Sequence, residues 1–205
     1  MQGVPARDAE RTLVVACGAL TRELRAVLGQ VPGAAARCDV TYLPAHLHNR
    51  PEEIPNAVER AVTDARDGHG RVLVAYADCG TGGLLDPVIA RLGATRLPGA
   101  HCYEVFAGAD VFAALAEAEP GTFYLTDYLA RHFDALVVQG LGLDTHPELR
   151  DTYFTHYRRV VLLSQSDDPS VVEAGERAAD RLGLAFEHRP VGLAPFAAAV
   201  HAGIA

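Results

Sequence analysis

Short, β-branched apolar runs recur along this chain, and most are followed by a segment with apolar residues at helical spacing. In "RVLVAYADCG" (71–80) no charged residue interrupts Val72 to Ala77, so the run reads as a central strand buried on both faces. "TLVVACG" (12–18) is a similar run, and "ALTRELRAVLGQ" after it carries Leu20, Leu24, Val27 and Leu28 at helical spacing. "CDVTYLP" (38–44) alternates like a strand, and the stretch from Pro51 to Gly68 has the acidic first turn and terminal glycine of a helix. "PGAHCYEVFAG" (98–108) reads as a loop with a short strand, and "ADVFAALAEAEPG" (109–121) as a helix. "DALVVQGLG" (134–142), "RRVVLLSQSDD" (158–168) and "LAFEHRPV" (184–191) read as three more strands, with a helix over 169–183 between the last two.

Alternating strands and helices predict an α/β fold: a Rossmann-like, mostly parallel sheet with helices on both faces. No linker or low-complexity stretch divides the 205 residues, so they are read as one α/β domain spanning 1–205. Two similar lobes, 12–133 and 134–205, are the alternative arrangement.

Composition excludes several functions. The net charge of −8 argues against general affinity for nucleic acid or anionic membrane, because phosphate binding needs clustered Lys and Arg. All 18 basic residues are arginine, which excludes a Schiff-base or P-loop lysine. No apolar run approaches the roughly 20 residues that span a bilayer, and "MQGVPARDAER" lacks the apolar core of a signal peptide. A cytoplasmic location is the expectation.

In parallel sheets ligands bind beyond the carboxyl ends of the strands. Three of the four cysteines, Cys17, Cys79 and Cys102, fall in loops at that expected edge, whereas Cys38 begins a strand. One such cysteine is ordinarily a small buried hydrophobe. Three at one edge point to a thiolate metal site or a reactive nucleophile, since a disulfide does not suit the cytosol. Thiolates with an imidazole suit an iron-sulfur cluster or zinc, three protein ligands leave a coordination position open, and the one-cysteine-per-loop layout puts the open cluster ahead of zinc. One cysteine per loop resembles, as architecture, quinolinate synthase, where separate α/β repeats each give one cysteine to a [4Fe-4S] cluster. His48 follows a strand and His101 adjoins Cys102, so each is a candidate ligand or acid-base group. Asp78 could orient an imidazole or act as a base, and Tyr103 could line the pocket. Gly18, Gly80 and Gly82 let backbone approach a ligand, and Asn49 either contacts it or caps the helix at Pro51. "CGTGG" lacks the spacing of the dinucleotide fingerprint, so NAD(P) is not expected.

The ordered set "ACGALTREL", "LHNRPEEI", "YADCGTGGL", "HCYEVFAG" and "EPGTFYLTDYLARHF", with "YFTHYRRVVLL" further on, resembles a bacterial and archaeal family, a domain of unknown function associated with corrinoid-dependent methyltransferase systems. The resemblance spans about residues 12–195. It implies a Rossmann-like protein whose typical features include Cys17, His48, Cys79 and the His101-Cys102 pair, and a setting in methyl or one-carbon metabolism. The expectation is therefore a cytosolic metalloprotein, more an enzyme than not, acting on a small polar substrate with a corrinoid or methyltransferase protein as partner. A non-catalytic metal or corrinoid carrier and a metal-free enzyme with Cys79 as nucleophile are the alternatives.

Overall fold

The computed structural model describes residues 8–205; residues 1–7, which open the stretch read for a signal peptide, lie outside the described residues. The chain forms two compact units, one of residues up to Val105 together with Phe196–Ala205, the other Phe106–Pro195. Residue 134 lies inside the second.

The first unit starts with β1 (Asp8–Cys17), α1 (Thr21–Gln30), the short α2 (Ala34–Arg37) and β2 (Cys38–Leu43). It continues with α3 (Ile54–Ala65), β3 (His69–Ala75), α4 (Leu85–Leu92), β4 (Thr95–Arg96) and α5 (Cys102–Ala107). Its sheet is parallel throughout, in the order β2-β1-β3-β4. Leu13 to Cys17 on β1 and Val72 to Ala77 along and after β3 are all buried, so both faces of these central strands are covered. The apolar stripes of the helices supply that cover: Leu24, Val27 and Leu28 on α1, Ile54, Val58 and Val62 on α3, and Leu85, Val88 and Ile89 on α4 are buried. Burying each such side chain contributes about 1.5–3 kcal/mol.

The second unit holds α6 (Ala109–Ala118), β5 (Thr122–Leu125), α7 (Asp127–Arg131), α8 (Leu149–Tyr153), β6 (Arg159–Ser164), α9 (Pro169–Leu182) and β7 (Ala185–Pro190). Its three strands are parallel in the order β5-β6-β7, with Val160 to Ser164 of β6 buried. Thr126 caps α7 by accepting from the Leu129 N–H, and Asp168 caps α9 by accepting from the Ser170 N–H. Gly183, left-handed at φ 72°, ends α9. The last helix, α10 (Ala194–Ile204), returns to the first unit with Phe196 and Val200 buried.

Two expected strands are helical. "DALVVQGLG" forms a π-helical turn over Asp134–Val138, continuing the helical path of α7. Ala130, Phe133, Val137 and Val138 thereby reach one apolar core, and this tertiary gain overrides the β propensity of two adjacent valines. The short strand expected in "PGAHCYEVFAG" is instead α5. Among the described residues no helix is long and apolar enough to cross a membrane.

In α9 a Cβ built on Gly175 would sit 2.9 Å from the Phe186 ring on β7 and 3.2 Å from Leu162 on β6. Helix and sheet touch there through the missing side chain. Gly175→Val should overpack this contact and destabilise the fold by about 1–3 kcal/mol, read as a lowered denaturant midpoint.

Candidate functional site

In the order β2-β1-β3-β4 the chain leaves β1 to one side for β2 and then crosses to its other side for β3. This reversal is a topological switch point, and it opens a crevice at the carboxyl ends of β1 and β3. Cys17 is the last residue of β1, while Tyr76, Asp78 and Cys79 follow β3. His48 lies in the 3-10 turn after β2, and Cys102 opens α5 beyond β4. Four strand ends thus deliver side chains to one place. Cys17, His48, Tyr76, Cys79 and Cys102 line a single cavity of about 20 Å³, closed by Leu20, Leu97, Val105 and Phe196.

Each residue is held by its backbone. Gly18 turns the chain after β1, and a Cβ there would stand 2.9 Å from the Leu43 carbonyl oxygen at the end of β2. Only glycine lets the two strand ends come that close. The Cys17 sulfur accepts from the Ala19 N–H at 3.4 Å. His48 Nδ1 lies 3.1 Å from the Ala45 carbonyl oxygen and 3.9 Å from the Cys17 sulfur, and its ring stacks on Tyr76 at 6.0 Å between centroids. With the proton on Nδ1 donated to Ala45, Nε2 keeps its lone pair. Burial holds the His48 imidazole below its ordinary value, and the nearby His101 adds to this, so it is neutral at pH 7.

Among the described residues Cys79 is the one non-glycine residue with positive φ, at 52°. Such a left-handed backbone costs of order 1–3 kcal/mol for a residue with a Cβ, and strain of this kind gathers at functional sites. The surrounding chain enforces it. Cys79 N–H donates to the Ala100 carbonyl at 2.8 Å and Asp78 N–H to that of Gly99 at 3.2 Å. Arg96 holds the acceptor loop from behind, pairing with Asp86 at 2.6 Å and donating to the Leu97 carbonyl at 2.8 Å and to that of Gly99 at 3.3 Å. Ala100 N–H donates to the Glu104 carboxylate at 2.9 Å, which ties the same loop to the first turn of α5 and so to Cys102.

Asp78 works inside its own loop. Its carboxylate accepts from the Thr81 hydroxyl and from the N–H groups of Gly82 at 3.1 Å and Gly83 at 2.8 Å. The Thr81 bond above all holds its pKa below the usual carboxylate range. Gly80 and Gly82 are left-handed, at φ 83° and 63°, and shape this turn, with Gly82 facing open space. Asn49 is exposed, and Arg50, rather than Asn49, stands at the start of the 3-10 turn at Pro51. His101 is exposed and Tyr103 half-buried, their rings 6.2 Å apart, and neither lines the cavity.

Tyr76 is the residue that sequence reasoning missed. It is 1% exposed, lines the cavity, and its hydroxyl is enclosed beside the Cys17 thiol. The signal was present in "VLVAYADCG", where a tyrosine closes an otherwise aliphatic run.

Electrostatically the three thiols behave as one group. Burial is the main effect raising each of them, pushing Cys79 up to about 12 and Cys102 well above its ordinary value; at Cys79 the Cys17 charge adds, and at Cys102 those of Cys79 and Cys17. Cys17 is raised by burial as well. All four cysteines are free. Neutral thiols are poor nucleophiles, and a cation among them would reverse the shift by stabilising thiolates. Among the described residues no group of three or more His, Cys, Asp or Glu stands arranged to hold a metal ion, so ligation would need side-chain rotation.

Fold and site together define an α/β protein with a thiol-lined cavity at a topological switch point. A family model described as "Protein of unknown function (DUF1638)" matches residues 42–200, and the chain belongs to that family. No curated protein and no solved structure matches it.

Because folded Cys79 ionises at about 12 and an ordinary thiol at 9.0, its burial contributes stability that is complete below pH 9 and lost as pH rises toward 12. The metal-free protein should therefore lose stability to urea between pH 9 and the highest pH at which it stays folded. Cys79→Ala should show a shallower decline over the same range.

Proposed function

We propose that the cavity is a thiolate metal centre in which Cys17, Cys79 and Cys102 hold one ion, with His48 and Tyr76 beside the remaining coordination position. The observation that carries this reading is the convergence of three thiols, one of them on a strained backbone, around the enclosed Tyr76 hydroxyl. A volume of about 20 Å³ suits a single water-sized species. It favours Zn²⁺ over a [4Fe-4S] cluster, and the soft donor set agrees.

Such an ion would supply Lewis acidity and would bind a substrate thiol as its thiolate. The protein's own groups then have distinct tasks. Neutral His48 takes the proton that a ligand loses on binding, and the Tyr76 hydroxyl donates to that ligand or to a coordinating sulfur. The walls of Leu20, Leu97, Val105 and Phe196 exclude water, which strengthens each of these interactions. The resulting activity is activation of a small polar substrate for group transfer. Methyl or one-carbon metabolism, with a corrinoid or methyltransferase protein as partner, is the setting that the resemblance of the motifs implies. Free thiols persist in a reducing compartment, so the reading calls for the cytoplasm.

Anaerobic purification with elemental analysis tests the centre. One zinc per chain is expected, and Co²⁺ loading should give sulfur-to-metal charge-transfer bands. Iron with equimolar sulfide would select the cluster, and metal-free protein that refuses Co²⁺ would sink the proposal. Cys17→Ser, Cys79→Ser and Cys102→Ser should each lower bound metal at least tenfold, whereas Cys38→Ser should leave it unchanged. His48→Gln separates the roles of the imidazole: retained metal with lost activity marks a proton acceptor, and lost metal marks a ligand.

A further inference from the structure

At the opposite, amino-terminal edge of the same sheet, three residues stand in one row across adjacent strands. Cys38 on β2 and Arg71 on β3 are both in register with Thr12 on β1. Aligned residues of parallel strands present their side chains on the same face, and Leu73, two residues beyond Arg71, shares it. The helix α10 lies over that face, because a Cβ on Gly203 would stand 2.6 Å from a Leu73 methyl. Val31, Ala34 and Arg37, from the end of α1 through α2, form the other wall. Between them runs an open groove of about 700 Å³, lined by Thr12, Val31, Ala34, Arg37, Cys38, Arg71, the α10 residues His201 and Ile204, and Ala205 just after them.

This volume falls in the range of small-molecule sites. The charge is what distinguishes the groove. No acidic side chain lines it, although the whole chain carries −8. Arg37 and Arg71 are both exposed, and neither forms an ion pair with an acidic side chain among the described residues. His201 Nε2 is enclosed and has no hydrogen-bond partner. Two guanidiniums in a concave wall, without an acidic side-chain partner, favour an anionic ligand.

We propose that this groove binds a phosphorylated small molecule. A phosphate dianion matches two guanidinium forks and one imidazole donor, and an organic body would lie on Val31, Ala34 and Ile204. Thr12 and Cys17 are five residues apart on β1, roughly 17 Å at the rise of a strand, so this site is separate from the thiol cavity. It does not depend on a metal being bound there.

Calorimetric titration of the full chain with pyrophosphate, adenosine 5′-monophosphate, adenosine and citrate tests this. Pyrophosphate and the nucleotide should bind, adenosine at least tenfold more weakly, and affinity should fall as salt rises. Arg37→Ala and Arg71→Ala should each weaken binding about tenfold, while Arg60→Ala, on the exposed side of α3, should not. Amide shift changes on binding to the unaltered protein should centre on Thr12, Cys38 and Ile204, a readout independent of whether the variants fold. No binding of either phosphate compound, binding unchanged in both arginine variants, or citrate binding more tightly than pyrophosphate would each overturn the assignment.

Discussion

The parallel pairing of β1 with both β2 and β3 is the constraint on which the rest depends. Because β1 is central, its hydrogen bonds set the level at which the neighbouring strands end: Cys17 stands opposite Leu43, and Ala16 opposite Ala75. Residues that follow those ends then meet, whatever their distance in sequence. Cys17, His48 and Cys79 come together because their strands are in register, and Cys102 joins them because the 97–100 loop is bonded to Asp78 and Cys79. A slip of one residue in the register would shift one strand end by about 3.3 Å against its neighbour and exchange the side chains facing each helix layer, so the packing of Leu13 to Cys17 and Val72 to Ala77 protects the site as well as the fold.

Against that rigid frame the cavity is locally unfavourable. Cys79 adopts a backbone that glycine would tolerate better, the Tyr76 hydroxyl is enclosed among the thiols, and ionising one thiol makes it harder to ionise the others. The left-handed Cys79 backbone alone costs of order 1–3 kcal/mol. The surrounding bonds of Asp78, Arg96 and Glu104 hold the arrangement in place. Departures from local preference that a fold maintains against its own stability are where function concentrates.

Much of the architecture was legible in the sequence. The runs 12–18 and 71–80 announce buried strands, 38–44 announces an alternating one, and the placement of cysteines at their ends announces the edge where they meet. Asp168 as a cap and Gly183 as a terminator of α9 are equally plain, because they follow from local hydrogen bonding and backbone freedom. The segment 134–142 was misleading, since β-branched residues satisfy a helical turn when the core lies on one side of it. Asp78 illustrates a different limit. Its proximity to Cys79 suggested a role toward ligand, but its carboxylate is engaged by Thr81, Gly82 and Gly83.

By itself, then, the sequence determined the α/β class, the strand runs that carry the site, and the residue types available for its chemistry, because periodicity, capping and composition act over a few residues. Only the tertiary structure decided which of those residues share a cavity. It separated Tyr76 from Tyr103 and His48 from His101, bent Cys79 into a left-handed turn, and gathered Arg37, Arg71 and His201 along one groove. Those outcomes rest on strand order, register and the packing of α10 onto the sheet, which are contacts between residues far apart in the chain and leave no local pattern to read.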